Sequence, residues 1–247
     1  MKFSLNKIFS RLEKIGELVF FPSFCQICRR LLEAPGERVV CRPCLERLKS
    51  RRSALCLCCG RFFEAAGESH LCQKCLQSPP PFSVHRSCAK YRKELKDFIL
   101  LFKYRKFKVL GKELARFANQ SLKREEKLWE GVEILIPVPL HARRKRQRGF
   151  NQAQVIAEEL ARLKNIPLEK RILVKIKNIP PQTSLEQEER EKNVRGAFRV
   201  NKREKIKGKI VLLIDDVYTT GSTLKECGHA LLGEGAKEVR ALTIAQA

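Results

Sequence analysis

Residues 211–223, with the sequence VLLIDDVYTTGST, constrain the fold of this chain more than any other segment. The apolar run from Val211 to Ile214 is typical of a strand buried inside a parallel sheet. Two carboxylates follow this run, and then a row of hydroxyl side chains around one glycine. Because open α/β sheets bind their ligands beyond the carboxyl ends of the strands, the pattern predicts a strand, a binding loop and a helix in that order.

The loop residues suit a phosphate group. Gly221 lets the backbone approach an oxyanion closely, and the loop amides and the helix N-terminus offer donors and positive potential. The two neighbouring carboxylates suit ribose hydroxyls and a hydrated Mg²⁺ ion. No GxxxxGK[ST] or GxGxxG motif provides another phosphate loop in the sequence. The predicted ribose-phosphate site comprises Asp215, Asp216, Thr219, Thr220, Gly221, Ser222 and Thr223.

Strand patterns alternate with helix patterns over residues 82–247. We predict strands at residues 83–90, 132–138, 172–175, 209–214 and 238–244. We predict helices at residues 94–102, 110–122, 152–163 and 222–232. This alternation predicts an α/β domain with a parallel sheet and helices on both of its faces.

Four CxxC pairs precede this domain. Twelve residues separate the first pair from the second, and twelve residues separate the third pair from the fourth. Zinc binds four thiolates tetrahedrally, and a CxxC turn places two of them on one knuckle. The repeat predicts a double zinc ribbon at residues 25–78 with two structural Zn²⁺ ions, paired either sequentially or in an interleaved manner. Cys58 and His70 are alternative ligands with less suitable spacing. The predicted ligands are Cys25, Cys28, Cys41, Cys44, Cys56, Cys59, Cys72 and Cys75.

The pattern of charged and apolar side chains over residues 1–24 predicts an amphipathic helix that packs on the body of the protein. The alternative is a helix that binds a membrane surface or a partner protein. These residues interleave charged and apolar side chains and lack the unbroken apolar stretch of a secretory signal. No apolar run approaches the roughly 20 residues that span a bilayer. We therefore expect a cytoplasmic protein without a transmembrane segment, with membrane association left open. Cysteine pairs in that compartment favour metal binding over disulfides.

The chain carries 51 Lys and Arg against 27 Asp and Glu, a formal net charge of +24. Such an excess favours polyanionic partners, above all nucleic acid, although a diffuse charge is also compatible with a solvated surface. Five basic residues occur between Arg143 and Arg148, with Tyr104 and Phe150 as aromatic side chains near basic clusters. Aromatic rings and cations together suit base stacking and phosphate contact on a single strand.

Residues 211–223 resemble the phosphoribosyl pyrophosphate signature of type I phosphoribosyltransferases over their whole length. Residues 134–140 (ILIPVPL) take the place of the pyrophosphate loop of that fold, and residues 177–197 that of the flexible loop that closes over substrate. Together with the paired CxxC ribbons, these segments resemble the ComF family of competence proteins over nearly the whole chain. The motifs that carry the resemblance are FKY at 102–104, PVPL at 137–140, RGFNQ at 148–152, PQT at 181–183, NVRGAF at 193–198 and DDVYTTGST at 215–223.

The resemblance implies an accessory protein for DNA uptake in natural transformation, built on a phosphoribosyltransferase-like fold. It implies phosphoribosyl pyrophosphate with Mg²⁺ and single-stranded DNA as ligands, and DNA-uptake machinery at the inner face of the membrane as a partner. On this hypothesis the residues that contact DNA or pyrophosphate are Lys103, Arg143, Arg144, Arg146 and Arg148.

Two other functions stay open. A metabolic phosphoribosyltransferase would displace pyrophosphate from the anomeric carbon of phosphoribosyl pyrophosphate with an unidentified acceptor. It fits the intact loop, but no separate base-binding hood can be identified in the sequence, and no residue suggests itself as catalytic nucleophile or base. Alternatively, the ribbons form a protein-docking module that links the domain to a membrane-bound uptake complex.

Overall fold

The computed structural model describes residues 23–32, 39–49, 54–64, 67–177 and 194–247. The chain divides into two compact units, residues 1–48 and residues 49–247. Nearly all of the predicted N-terminal helix (residues 1–22 of 1–24) and most of the predicted flexible loop lie outside the described residues. Among the described residues, no helix combines the length and apolar character needed to cross a membrane.

In the described part of the first unit, residues Arg42–Glu46 form a short helix, α1, with a proline in its first turn. An antiparallel bridge joins Phe24 to Leu31. The bridge encloses the first CxxC turn, and α1 follows the third cysteine. Each cysteine pair of this unit therefore sits on a tight turn or at a helix N-terminus.

The second unit contains the remaining cysteine pairs and the α/β elements. Its described helices are α2 (Gln73–Gln77), α3 (Lys93–Tyr104), α4 (Val109–Ser121), α5 (Glu126–Trp129), α6 (Ala142–Arg148), α7 (Gln152–Lys164) and α8 (Ser222–Gly233), with a 3₁₀ turn at Arg203–Lys205. Its strands are β1 (Val84–Lys90), β2 (Ile134–Pro137), β3 (Leu173–Lys175), β4 (Phe198–Val200), β5 (Ile210–Tyr218) and β6 (Glu238–Gln246).

Four strands form a parallel sheet in the order β1-β6-β5-β2. Val211 and Leu213 of β5 share a buried cluster with Leu224 and Leu231 of α8. The alternate residue Leu212 is also fully buried, so both faces of the sheet are covered, as parallel strands require. The predicted α/β fold with a parallel sheet and helices on both faces is confirmed.

Strand β5 is longer than the sequence predicts. It continues past Ile214 because β6 runs beside it, and Tyr218 still pairs with Gln246. Asp215 and Asp216 therefore lie inside the strand, near its carboxyl end, and not in the loop after it. Their side chains point to opposite faces, since neighbouring strand residues alternate.

The segment predicted as a strand at 172–175 does not join the parallel sheet. Strand β3 pairs antiparallel with β4, with Leu173 opposite Val200 and Lys175 opposite Phe198. Three residues are too few to show a clear alternation, and the partner strand has no separate strand pattern in the sequence. The pair brings Lys175 toward the acidic residues of β5, as described below.

Candidate functional site

The cysteine Sγ atoms form two groups of four, each with all members within 4.8 Å of one another. Cys25, Cys28, Cys41 and Cys44 form the first group, and Cys56, Cys59, Cys72 and Cys75 form the second. Each group joins neighbouring CxxC pairs, so the arrangement is sequential and not interleaved. Cys58 and His70 belong to neither group.

The spacing of the sulfur atoms fits a tetrahedral zinc site. Four thiolates at about 2.3 Å from Zn²⁺ lie about 3.8 Å from one another. The Sγ atoms of Cys25 and Cys44 are 3.9 Å apart, and those of Cys59 and Cys72 are 3.8 Å apart. Both groups could therefore hold a structural zinc ion, whose chemistry here would be to cross-link the turns.

Backbone N–H groups favour the thiolate form of the first cysteine in each group. Burial raises the pKa of Cys25, but donors from Ile27, Cys28 and Cys41 outweigh it and lower the pKa to about 6. The same balance, with an N–H donor from Cys72, lowers the pKa of Cys56 to about 7. Metal binding requires deprotonated thiols, so these donors favour it.

Residues 54–64 and 67–78, here called the second cysteine module, pack directly on β1. The backbone N–H of His85 donates to the Cys58 carbonyl at 2.7 Å, and Arg86 donates to the Leu57 carbonyl at 3.1 Å. Gly60 has a φ of +63°, and a Cβ there would lie 2.3 Å from the His85 carbonyl oxygen. Only glycine permits so close an approach of the knuckle to the strand.

His85 connects the second cysteine module to the phosphate loop, residues 219–223. Its Nδ1 donates to the Cys59 carbonyl at 2.8 Å, and Nε2 accepts from the Thr243 hydroxyl at 3.0 Å. Burial lowers the pKa of His85 to about 4, so the ring is neutral. The ring stacks on Tyr218, the last residue of β5, with centroids 4.3 Å apart.

The phosphate loop begins after Tyr218 and leads into α8. Gly221 has a φ of +80° and directly precedes α8. The Thr220 hydroxyl oxygen accepts a hydrogen bond from the Ser222 N–H at 3.4 Å and contacts the Ser222 hydroxyl at 2.7 Å. The Thr220 hydroxyl oxygen thus occupies a position at which an anionic oxygen would also accept hydrogen bonds from the Ser222 N–H and hydroxyl.

Asp215 and Asp216, here called the acid pair, lie beside several cations. Lys103 of α3 forms an ion pair with Asp216 at 2.9 Å, and both side chains are largely buried. Burial and the charge of Asp216 raise the pKa of Asp215 to about 7, against the effect of Lys103 and Lys175. Lys103 could also form an ion pair with the pyrophosphate of a bound ligand, and the two carboxylates could accept hydrogen bonds from ribose hydroxyls.

The basic run at 143–148 forms helix α6, which the sequence patterns do not predict. His141 caps its N-terminus through a side-chain bond from the Arg143 N–H, and Gly149 ends it in the left-handed conformation. Arg143 and Arg146 are exposed, whereas Arg144 and Arg148 are half-buried. Arg148 lies 6.0 Å from the centroid of the Tyr104 ring. The run is therefore divided between an inner and an outer pair of arginines.

Lys175 is a site residue that sequence reasoning missed. Burial lowers its pKa, and the positive charge of Arg144 adds to this, while Asp215 opposes it. Lys175 thus joins Lys103 beside the acid pair, and Arg144 lies near Lys175. Lys175 lies in a short strand without a motif, so no sequence signal identifies it. Phe102, by contrast, is fully buried, and its ring packs 5.3 Å from that of Phe150.

Comparison with known proteins agrees with this geometry. The family model described as phosphoribosyl transferase domain matches residues 146–247. Competence protein F of Haemophilus influenzae is 35% identical over 162 residues, which cover 64% of this chain and 70% of that protein.

Two further relatives extend the match. DNA utilization protein YhgH of Salmonella typhimurium is 30% identical over 222 residues, covering 89% of this chain and 95% of that protein. Competence protein ComFC of Bacillus subtilis is 28% identical over 185 residues, covering 66% and 74%. With its phosphoribosyltransferase-type domain and its two groups of four cysteines, the chain belongs to the ComF/YhgH family of competence and DNA-utilization proteins.

Proposed function

We propose that this protein assists DNA uptake or use by binding phosphoribosyl pyrophosphate with Mg²⁺ and single-stranded DNA. The observation that carries the first half is the joint position of the acid pair and the phosphate loop at the carboxyl end of β5. This is the edge at which open α/β sheets bind ligands. The Lys103–Asp216 ion pair supplies a cation beside the carboxylates.

Each group has a proposed role in that site. The loop amides and the hydroxyls of Thr219, Thr220, Ser222 and Thr223 would bind the 5-phosphate. The acid pair would hold the ribose hydroxyls and a hydrated Mg²⁺. Lys103 and Lys175 would face the pyrophosphate, because both lie beside the acid pair, and Arg144 would join them from its position near Lys175.

The double variant Asp216→Asn/Thr220→Ala tests this site. It removes one carboxylate charge and one loop hydroxyl and leaves the backbone at both positions unchanged. Each lost group should cost roughly 1.4 kcal/mol of binding free energy, which is a tenfold change in affinity. We therefore expect the Kd for phosphoribosyl pyrophosphate to rise at least about a hundredfold. Calorimetric titration with Mg²⁺, beside ribose 5-phosphate, measures the change.

A matched control for charge is Glu204→Gln, which replaces an exposed carboxylate on the 3₁₀ turn. Its affinity should equal that of the wild type. A folded double variant with unchanged affinity would remove the acid pair and phosphate loop from the binding site.

The DNA half of the proposal is supported by the charge of +24, by α6 and by the names of the relatives. Arg143 and Arg146 are exposed on this helix, so they are available to phosphates of a strand. Tyr104, 66% exposed, lies next to Arg148 and offers a ring for stacking. Arg144 lies near Lys175 and is assigned to pyrophosphate.

The variant Arg143→Ala/Arg146→Ala separates these roles. Each lost phosphate contact flattens the dependence of log affinity on log salt by about 0.7 for single strands, so the slope should fall by about 1.4 for the two contacts. Fluorescence anisotropy with a labelled oligonucleotide across a salt series measures it.

The control Arg124→Ala/Arg171→Ala removes the same charge from exposed positions outside α6. We expect it to keep the wild-type slope. If both double variants behave alike, diffuse charge and not α6 accounts for DNA binding.

A further inference from the structure

A cavity of about 330 Å³ lies between the second cysteine module and the carboxyl edge of the parallel sheet. One wall is the module itself, one is the segment after β1, and one is the start of the phosphate loop. The residues that line these walls include Cys59, Cys72, Cys75, Tyr91, Arg92, Thr219 and Thr220. The acid pair and α6 are not among the lining residues in the described part of the chain.

Positive charge dominates this cavity. The lining contains five cationic side chains, Arg61, Lys74, Lys90, Arg92 and Lys225, and one acidic side chain, Glu64. Glu64 pairs with Lys90. Within the described residues, no ion pair engages Arg61 or Arg92. Cations stay in excess even beside a zinc tetrathiolate, which carries two negative charges, so the cavity suits an anion.

The cavity also has a fixed aromatic side. Tyr91 and Phe62 both line it. The Tyr91 N–H donates to the Gln246 carbonyl at 2.7 Å, and the Phe62 N–H donates to the Gln246 side chain at 3.1 Å. The volume lies at the lower end of the roughly 300–1,000 Å³ of small-ligand pockets, which suits a single nucleotide.

Tyr91 lines this cavity and lies within electrostatic range of Lys103 and of Asp216 in the acid pair. Burial raises its pKa, and the charges of Lys103 and Asp216 act on the same hydroxyl in opposite directions. A ligand in the cavity would therefore lie near a ligand at the acid pair and would share Thr219 and Thr220 with it.

We propose that this cavity binds a nucleoside monophosphate, either free or as the phosphorylated end of a single DNA strand. The phosphate contacts Arg61 and Arg92, and the base packs against Tyr91. Cations for the phosphate and an aromatic face for the base are the two components of sequence-tolerant nucleotide binding. The site is distinct from the acid pair and does not require phosphoribosyl pyrophosphate.

Titration calorimetry with deoxyadenosine monophosphate tests the proposal, with deoxyadenosine and inorganic phosphate as comparison ligands. Wild-type protein should bind the monophosphate at least tenfold more tightly than either comparison ligand. Arg61→Ala/Arg92→Ala should weaken the monophosphate at least tenfold and leave the affinity for phosphoribosyl pyrophosphate within twofold. Both arginines are exposed, so their loss should not unfold the protein, and a thermal melt checks this.

The control Arg124→Ala/Arg171→Ala removes the same charge elsewhere and should change nothing. A decamer with and without a 5′-phosphate distinguishes a strand end from a free nucleotide, since only an end-binding site prefers the phosphorylated strand. Failure of both the monophosphate and the phosphorylated decamer to bind, or equal affinities in wild type and Arg61→Ala/Arg92→Ala, overturns the proposal. If the wild-type protein does not bind phosphoribosyl pyrophosphate, the function proposed for the acid pair is overturned instead.

Discussion

Gly221 lies where the phosphate loop meets the ring of Tyr218. A Cβ at this position would lie 2.4 Å from the Tyr218 hydroxyl oxygen. The backbone also has a φ of +80° there, a conformation that side chains other than glycine adopt at a cost. The loop therefore depends on glycine for two separate reasons, a left-handed backbone and a close aromatic neighbour.

Gly221→Ala should lower stability by about 2 kcal/mol, because backbone strain of about 1 kcal/mol is added to displacement of the tyrosine. It should also raise the Kd for phosphoribosyl pyrophosphate at least tenfold. Thermal melts and calorimetry measure the two effects.

Gly208→Ala separates the two causes. Gly208 has a φ of +74° but nothing within 4 Å of an added Cβ, so it should show the backbone cost without the loss of affinity. Equal losses of affinity in both variants would contradict the role assigned to the Tyr218 contact.

Single residues also mark the limit of prediction from sequence. The signature at 215–223 could be predicted because its residue types follow one another along the chain. His85 and Lys175 could not, since each becomes important through contacts with distant segments. His85 meets Thr243 across 158 residues, and no local pattern encodes such a pairing.

Among the elements, the second cysteine module behaves as part of the α/β unit. Its carbonyls accept hydrogen bonds from His85 and Arg86 of β1, and Cys59 and Cys75 belong to the same buried cluster as β5 and α8. The first group of four cysteines belongs to the other unit. The duplicated sequence spacing suggests two equivalent ribbons, but the two groups have different structural settings.

Cys72→Ser should therefore destabilise the α/β unit, and Cys41→Ser should not. A loss of about 2 kcal/mol corresponds to a fall in Tm of at least about 4 °C for a unit of this size. Differential scanning calorimetry, with zinc content measured on the same samples, tests the difference.

Cys58→Ser is the matched control, because Cys58 lies in the same cysteine module as Cys72 and belongs to neither group of four. Its Tm should stay near that of the wild type. An unchanged α/β transition in Cys72→Ser would show that the module is dispensable for the sheet.

The main elements could be predicted from hydrophobic periodicity because their buried faces repeat along continuous segments. Two details could not. Helix α6 has seven residues and none of them buried, so no apolar stripe marks it, and its caps define it instead. The extension of β5 to Tyr218 depends on pairing with β6. Polar residues such as Asp215 and Asp216 give no hydrophobic pattern from which this pairing could be predicted.

For the whole molecule, the cysteines predict the metal content. Eight of the 11 cysteines form the two groups, while Cys88 and Cys227 are buried among apolar residues. Protein purified without added zinc should contain two zinc ions per chain, because each group supplies a complete tetrahedral thiolate set.

Elemental analysis against protein concentration from amino-acid analysis measures the ratio. A ratio of one would mean that one group does not retain zinc, and a ratio of zero would refute the metal assignment. Removal of zinc by a chelator should lower the melting temperature of both units.

The pairing of β1 with β6 also determines the order of assembly during synthesis. Phe62 and Gln246, which hydrogen-bond to each other, are 184 residues apart, and the knuckle beside Phe62 packs on β1, which pairs with β6 in the sheet. The cysteines can capture metal as soon as they leave the ribosome, whereas docking of the knuckle must wait until β6 has been translated. Long-range pairing of this kind slows folding and leaves the nascent chain incompletely folded for longer. Early zinc capture would therefore protect eight thiols during the interval in which the growing chain is most exposed to oxidation.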